Sequence, residues 1–329
     1  MKNIIKDFNT LGIIGLAKNT GKTTTLNAII DLFSEYKIGL TSIGLDGEEL
    51  DQVNFLPKPK IEVKKGMVIA TASACLDAAP ILYKVITKTN LFTALGPIKI
   101  IEVLSKGHLV VAGPTTNSDL KSLIELMKPY VDKVLIDGAF NRMTFSNIDL
   151  IEGIILATGA IVHPSMDKTI EKTKAIVDAF HAPKSLVYDH IPNHKLAIHT
   201  QDAVYLYHQK NYEMMKQAID EHARHIQSIY IQGAITPKLI DLFITKRIEN
   251  IDLVCDDPTK LLLSEIYFKH IKTLKINLHV IHSCKLIAVT INPFSPNGQH
   301  YDADEFLKRM KDNLFIPVFN VLKMEVPYV

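Results

Sequence analysis

Short apolar runs alternate with amphipathic segments through the first half of the chain. Leu11–Gly15 is apolar throughout and predicts a buried strand. Thr23–Tyr36 places Leu26, Ile29, Ile30 and Phe33 at the i, i+3, i+4, i+7 spacing of one helix face. Ile38–Leu45, Met67–Ala72, Ile98–Leu104, His108–Ala112, Val134–Ile136 and Gly153–Ala157 read as further strands. Thr116–Tyr130 reads as a helix capped near Asn117 or Ser118, and Met166–Phe180 as another. Pro57, Pro59 and the lysines up to Lys65 mark a surface loop. Continuous apolar strands separated by helices predict a parallel sheet covered on both faces.

The pattern weakens over residues 181–226, where His, Asn, Gln and Tyr are frequent; one helix is expected there, near Tyr212–His225. Alternation then resumes. Ile229–Gln232, Leu253–Cys255, Leu286–Ile291 and Ile316–Val321 read as strands, and Ala303–Asn313 as a helix. Thr236-Pro237 and Asp257-Pro258 each pair a capping residue with a proline suited to the first helical position. The expected organisation is an α/β nucleotide-binding domain over 1–180, a connecting segment over 181–226 and a smaller α/β domain over 227–329.

The chemistry concentrates just after the first strand. Gly15-Leu16-Ala17-Lys18-Asn19-Thr20-Gly21-Lys22-Thr23-Thr24 places a Gly-Lys-Thr core between a strand and a helix, the setting of a phosphate-binding P-loop. A polyphosphate is cradled by backbone N–H groups at a helix N-terminus. Asn19, Thr20, Gly21, Lys22, Thr23 and Thr24 are therefore the expected nucleotide-binding residues. Lys22 would charge-match the β/γ-phosphates and the Thr23 hydroxyl would ligate Mg²⁺. The strict pattern asks for glycine at position 16; the chain has Leu16, with Gly15 one residue early.

A P-loop needs a carboxylate at the end of another strand to hold Mg²⁺. Asp137, in Lys133-Val134-Leu135-Ile136-Asp137-Gly138, fits that role. Asp46, ending the second strand in Leu45-Asp46-Gly47-Glu48, competes for it, and Asp46 or Glu48 could instead orient the attacking water. Arg142 could answer charge at the γ-phosphate, although a surface arginine is the plainer reading. No Asn-Lys-x-Asp element for guanine is present; Asn193-His194-Lys195-Leu196 lacks the final carboxylate, which favours ATP.

Composition narrows the rest. The 329 residues carry 37 Lys and Arg against 35 Asp and Glu, so bulk charge gives no reason to expect nucleic-acid binding. Trp is absent and aromatics are 7%, a poor stacking platform for single strands. Cys75, Cys255 and Cys284 are widely spaced, with no Cys-x-x-Cys, which fits a reducing cytoplasm. The apolar stretch 153–166 is too short to span a membrane, and the N-terminal apolar run lies behind Lys6 and Asp7, unlike a signal peptide. His222 and His225 have a spacing zinc can use, but solvated histidines are the commoner outcome; Pro192 keeps a helix from aligning His190, His194 and His199.

Gly15–Thr25, the Leu45–Glu48 turn, Ile136–Arg142 and Leu156-Ala157-Thr158-Gly159-Ala160 together resemble the smaller subunit of the lysine 5,6-aminomutase reactivases of lysine-fermenting bacteria. The similarity runs over most of the chain, including Asn292-Pro293-Phe294-Ser295-Pro296. The resemblance implies an ATP-dependent protein that works with a companion subunit. Together they would exchange damaged cobalamin on an adenosylcobalamin-dependent aminomutase. Two other readings stay open: a P-loop ligase or kinase acting on a small metabolite between the domains, and a nucleotide-binding scaffold that does not hydrolyse.

Overall fold

The computed structural model describes residues 1–43, 61–138, 151–188, 194–208 and 211–323. In chain order the elements begin with α1 (Lys2–Ile5), β1 (Thr10–Gly15), α2 (Lys22–Leu32), β2 (Ile38–Ser42), β3 (Ile61–Val63), β4 (Val68–Ala72) and α3 (Ser73–Asp77). They continue with β5 (Tyr83–Thr93), β6 (Gly96–Val103), β7 (Gly107–Leu109), α4 (Asn117–Met127), β8 (Lys133–Asp137), β9 (Gly153–Gly159) and α5 (Met166–Phe180). Then come β10 (Leu196–Thr200), β11 (Val204–Tyr207), α6 (Tyr212–His222), β12 (Ile226–Ile231), α7 (Pro237–Lys246), β13 (Asp252–Cys255), α8 (Glu265–Thr273) and β14 (Asn277–Val280). β15 (Leu286–Asn292), α9 (Ala303–Asn313) and β16 (Val318–Asn320) complete the described chain.

The architecture is mixed α/β, built on a large, mostly parallel sheet of order β16-β15-β9-β1-β8-β2-β4-β6-β5. Strands from β16 through β4 run parallel, and the β5–β6 hairpin adds antiparallel to β4. Burial on both faces explains the largely apolar strands: β1, β2, β4 and β9 are buried along their whole length. Alternate residues of a strand face opposite sides. Leu11, Ile13, Leu40, Ile69 and Ile101 meet Leu26, Ile29, Ile30 and Phe33 of α2, while Val68, Ala70, Ile98 and Ile100 meet Leu123 and Met127 of α4 on the other side. Each such Leu or Ile contributes about 1.5–3 kcal/mol by leaving water.

The chain falls into two compact units, but not at the expected boundaries. One comprises Met1–Thr169 with Leu286–Val329, the other Ile170–Lys285. The expected 227–329 domain is split because Leu286–Ile291, apolar except at Thr290, pairs in parallel with β9 and is buried in the first sheet. The expected connecting segment 181–226 contains, besides the anticipated helix α6, two strands. β10 and β11 join the second unit's sheet, of order β11-β10-β12-β13-β14. There the parallel strands β12–β14 carry an antiparallel pair at one edge.

Smaller differences have local causes. The helix expected over 23–36 ends at Leu32, where Phe33 leaves helical geometry. The cap of α4 is Thr116, whose side chain accepts from the Asp119 N–H, one residue before the expected pair. Asp257-Pro258 opens only a 3₁₀ turn, Pro258–Lys260, and α8 starts later, behind Ser264.

Candidate functional site

In an open parallel sheet, ligands bind beyond the carboxyl ends of the strands. Five adjacent strands end there with the residues of interest: β1 at Gly15, β9 at Gly159, β15 at Asn292, β8 at Asp137 and β2 at Ser42. Ser42 and Asp137 are register partners.

The loop between β1 and α2 turns through two left-handed residues, Asn19 at φ 62° and Gly21 at φ 89°. Asparagine tolerates that region and glycine enters it without steric cost. The Thr20 hydroxyl donates to the Ala17 carbonyl (3.0 Å) and tightens the turn. Gly15 is required by its surroundings: a Cβ there would lie 2.5 Å from Thr20 Oγ1 and 2.8 Å from Lys22 Cγ. The displaced glycine thus makes room for the stem of Lys22. Leu16, at the position where the strict pattern has glycine, extends the sheet by donating its N–H to the Ala157 carbonyl (3.0 Å).

Lys22 is the first residue of α2. Its Nζ donates to the Gly138 carbonyl (3.1 Å) and stands 3.9 Å from Asp137 Oδ1. That oxygen is shut off from solvent and accepts no hydrogen bond among the described residues. Burial pushes the Asp137 carboxyl above the usual range, against the opposing pull of the Lys22 charge and the Gly138 amide. An orphaned buried oxygen beside a lysine is suited to a cation or a cation-bound water. Thr23 and Thr24 occupy the first turn of α2, half-buried. The next residue, Thr25, is buried and shares a hydrogen bond with Thr290 of β15 (2.8 Å). The threonine run therefore divides between a packing residue and two residues at the helix entrance.

Asn19, Thr20, Gly21, Lys22, Thr23, Thr24 and Asp137 are thus gathered at one end of the sheet. Asp46, Glu48 and Arg142 lie outside the described residues. Sequence reasoning gave Asn292 no role of its own. Its Cβ and Nδ2 lie 3.1 and 3.5 Å from the point where a side chain on Gly21 would begin. The available signal was an Asn-Pro pair at the end of an apolar strand.

The remaining constellations have other partners. His222 ends α6 and stacks on Tyr205 (centroids 3.9 Å), whereas His225 falls beyond the helix. Among the described residues no group of three or more His, Cys, Asp or Glu could hold a metal. Cys75, Cys255 and Cys284 are buried thiols, and burial pushes the Cys284 thiol up to about 12. No helix among the described residues is long and apolar enough to cross a membrane.

No family model matches the chain, and comparison with curated proteins and with solved structures also gave no match.

Proposed function

We propose that the chain is a P-loop ATP-binding protein and ATPase that reactivates an adenosylcobalamin-dependent lysine 5,6-aminomutase, driving exchange of damaged cobalamin together with a companion subunit. The observation that carries the nucleotide reading is the placement of Lys22 and Asp137. A lysine opens the helix behind a left-handed glycine, 3.9 Å from an orphaned carboxylate oxygen on the adjacent strand. The reactivase reading rests on the segment resemblance.

In this reading the amides of the 16–21 loop and the α2 N-terminus bind the phosphates. Lys22 leaves the Gly138 carbonyl to neutralise the β/γ-phosphates. Mg²⁺ would be held by the Thr23 hydroxyl and, through water, by Asp137. Asp46 is the competing metal carboxylate, and Glu48 is the residue proposed to orient water. Held there, Mg²⁺ would supply positive charge against the negative charge of the phosphates. Phosphoryl transfer is mainly positioning and electrostatics, and one arginine supplied in trans changes such rates by about 10³–10⁵. The isolated chain is therefore expected to turn over ATP slowly until its partners complete the site.

Two measurements test this. Mg-ATP raises the melting temperature of the wild-type chain and not that of Lys22→Ala, because only ligand bound to the native state stabilises it. An equal shift in both places the nucleotide elsewhere. Recovery of an aminomutase loaded with inactive cobalamin is then followed in the presence of free adenosylcobalamin. Its arms are complete, minus ATP, minus companion, and Lys22→Ala. Recovery without ATP removes the energy-coupled mechanism. No recovery in the complete arm, with fast ATP use on a metabolite, turns the assignment to a ligase or kinase.

A further inference from the structure

Asn292 ends β15 beside the mouth of the phosphate loop, and its two amide atoms have different surroundings. Oδ1 accepts the Phe294 N–H (3.1 Å), which fixes the amide plane. Nδ2 makes no hydrogen bond among the described residues and lies toward Gly21, 3.5 Å from where its side chain would begin. Two residues on, the Phe294 ring is 52% exposed, and it sits 6.0 Å from the His300 ring across a bridge that joins the two backbones.

This loop is built rigidly. Ser295 N–H donates to the Gln299 carbonyl (2.9 Å), Tyr301 N–H to the Pro293 carbonyl (2.9 Å), and Gly298 turns the tip at φ 81°. Gln299 Nε2 donates to the carbonyls of His163 (3.0 Å) and Pro164 (2.8 Å), which follow β9. An exposed aromatic ring on a pinned loop, next to an amide with a donor to spare, is poorly explained by packing. It matches what a heterocycle with a polar edge needs.

Resting on the phosphate-loop reading, we propose that Asn292 and Phe294 form the base subsite of the nucleotide and select adenine. The side-chain amide fits the adenine edge: Nδ2 donates to the N7 acceptor, and Oδ1, which retains a second lone pair, accepts from the N6 amino group. Guanine presents the O6 acceptor where adenine has its amino donor. Against it Oδ1 faces a second acceptor, and the pairing is lost. Phe294 supplies a stacking surface, which does not discriminate between bases.

Binding of ATP, GTP and inorganic tripolyphosphate, each with Mg²⁺, is measured by calorimetry on the full chain. In the wild type ATP binds more tightly than GTP. Asn292→Ala weakens ATP about tenfold, brings it level with GTP, and leaves tripolyphosphate unchanged. Phe294→Ala, at an exposed position that does not threaten folding, weakens ATP and GTP alike and preserves their ratio. Equal loss of ATP and tripolyphosphate in Asn292→Ala would make the residue a support of the phosphate loop and overturn the proposal. An ATP-to-GTP ratio untouched by Asn292→Ala overturns it as well. If the wild type binds neither ATP nor tripolyphosphate, the phosphate-loop reading itself fails, and the base subsite with it.

Discussion

Lys133 is 2% exposed, and its ammonium group is satisfied inside the fold. Nζ donates to the carbonyls of Lys6 (2.7 Å) and Phe8 (2.8 Å), just past α1, and lies 5.0 and 5.1 Å from the ring centres of Phe33 and Tyr36. Carbonyls at a helix C-terminus have no intrahelical donor, and a cation answers them. Lys133→Met keeps the volume but strands both carbonyls, so thermal or urea denaturation should show a loss of about 3 kcal/mol. Burial holds the Lys133 pKa below its ordinary value of 10.5. The unfolded chain then binds the proton more tightly than the folded one, so this group's contribution to stability rises with alkaline pH toward 10.5. The gap between wild type and Lys133→Met should widen over that window; a gap that narrows would contradict the sign. At the candidate site, Asp137→Asn keeps shape and removes charge. Mg²⁺-dependent hydrolysis should fall at least tenfold while the ATP-induced melting shift survives. A larger effect from Asp46→Asn would make Asp46 the metal carboxylate instead.

Among the elements, α9 has an explicit start signal. Asp302 Oδ1 accepts from the N–H groups of Asp304 (3.1 Å) and Glu305 (2.8 Å), two of the donors a helix start leaves open. Asp302→Ala should cost about 1 kcal/mol, read as a lower denaturation midpoint with an unchanged slope. Elements with such local signals were legible in the sequence. Ala303–Asn313 matches α9, and Leu11–Gly15 and Gly153–Ala157 each lie inside an observed strand. Tyr83–Thr93 was not legible, because β5 is an edge strand, largely half-exposed, with Lys84 and Lys88 interrupting it and two register shifts against β6. β11 escaped for a related reason: most of its side chains face solvent at the sheet's edge. Of the candidate site, the loop, Lys22, the threonines and Asp137 were legible because glycine, lysine and a strand-ending carboxylate leave local marks. Asn292 left only an Asn-Pro pair at a strand end, which assigns it no role, since its place beside Gly21 depends on strand order, which β15 acquires from a partner far away in sequence.

For the molecule as a whole, the pairing of β15 with β9 matters most. A run that is apolar but for one threonine fits the interior of any parallel sheet, and its composition does not say which. Here it closes the flank of β9 from Leu286 to Asn292, with one register shift between Leu286 and Ala288. A chain ending at residue 285 would leave β9, buried along its full length, as an open edge. Such a fragment should aggregate and lose the Mg-ATP melting shift, as read by light scattering and calorimetry. A fragment that stays monodisperse and keeps the shift would show that β15 is dispensable. The same pairing sets an order on biosynthesis. Everything in Ile170–Lys285 leaves the ribosome after β9 and before the strand that will flank it. At typical elongation rates of about 5–20 residues per second, β9 waits on the order of ten seconds for β15. The second unit, whose own strands are all made by residue 280, can close in that interval. The loop between β1 and α2 is therefore translated well before Asn292, its neighbour at Gly21, and on the proposed reading a nascent chain would lack a finished nucleotide pocket until β15 has emerged.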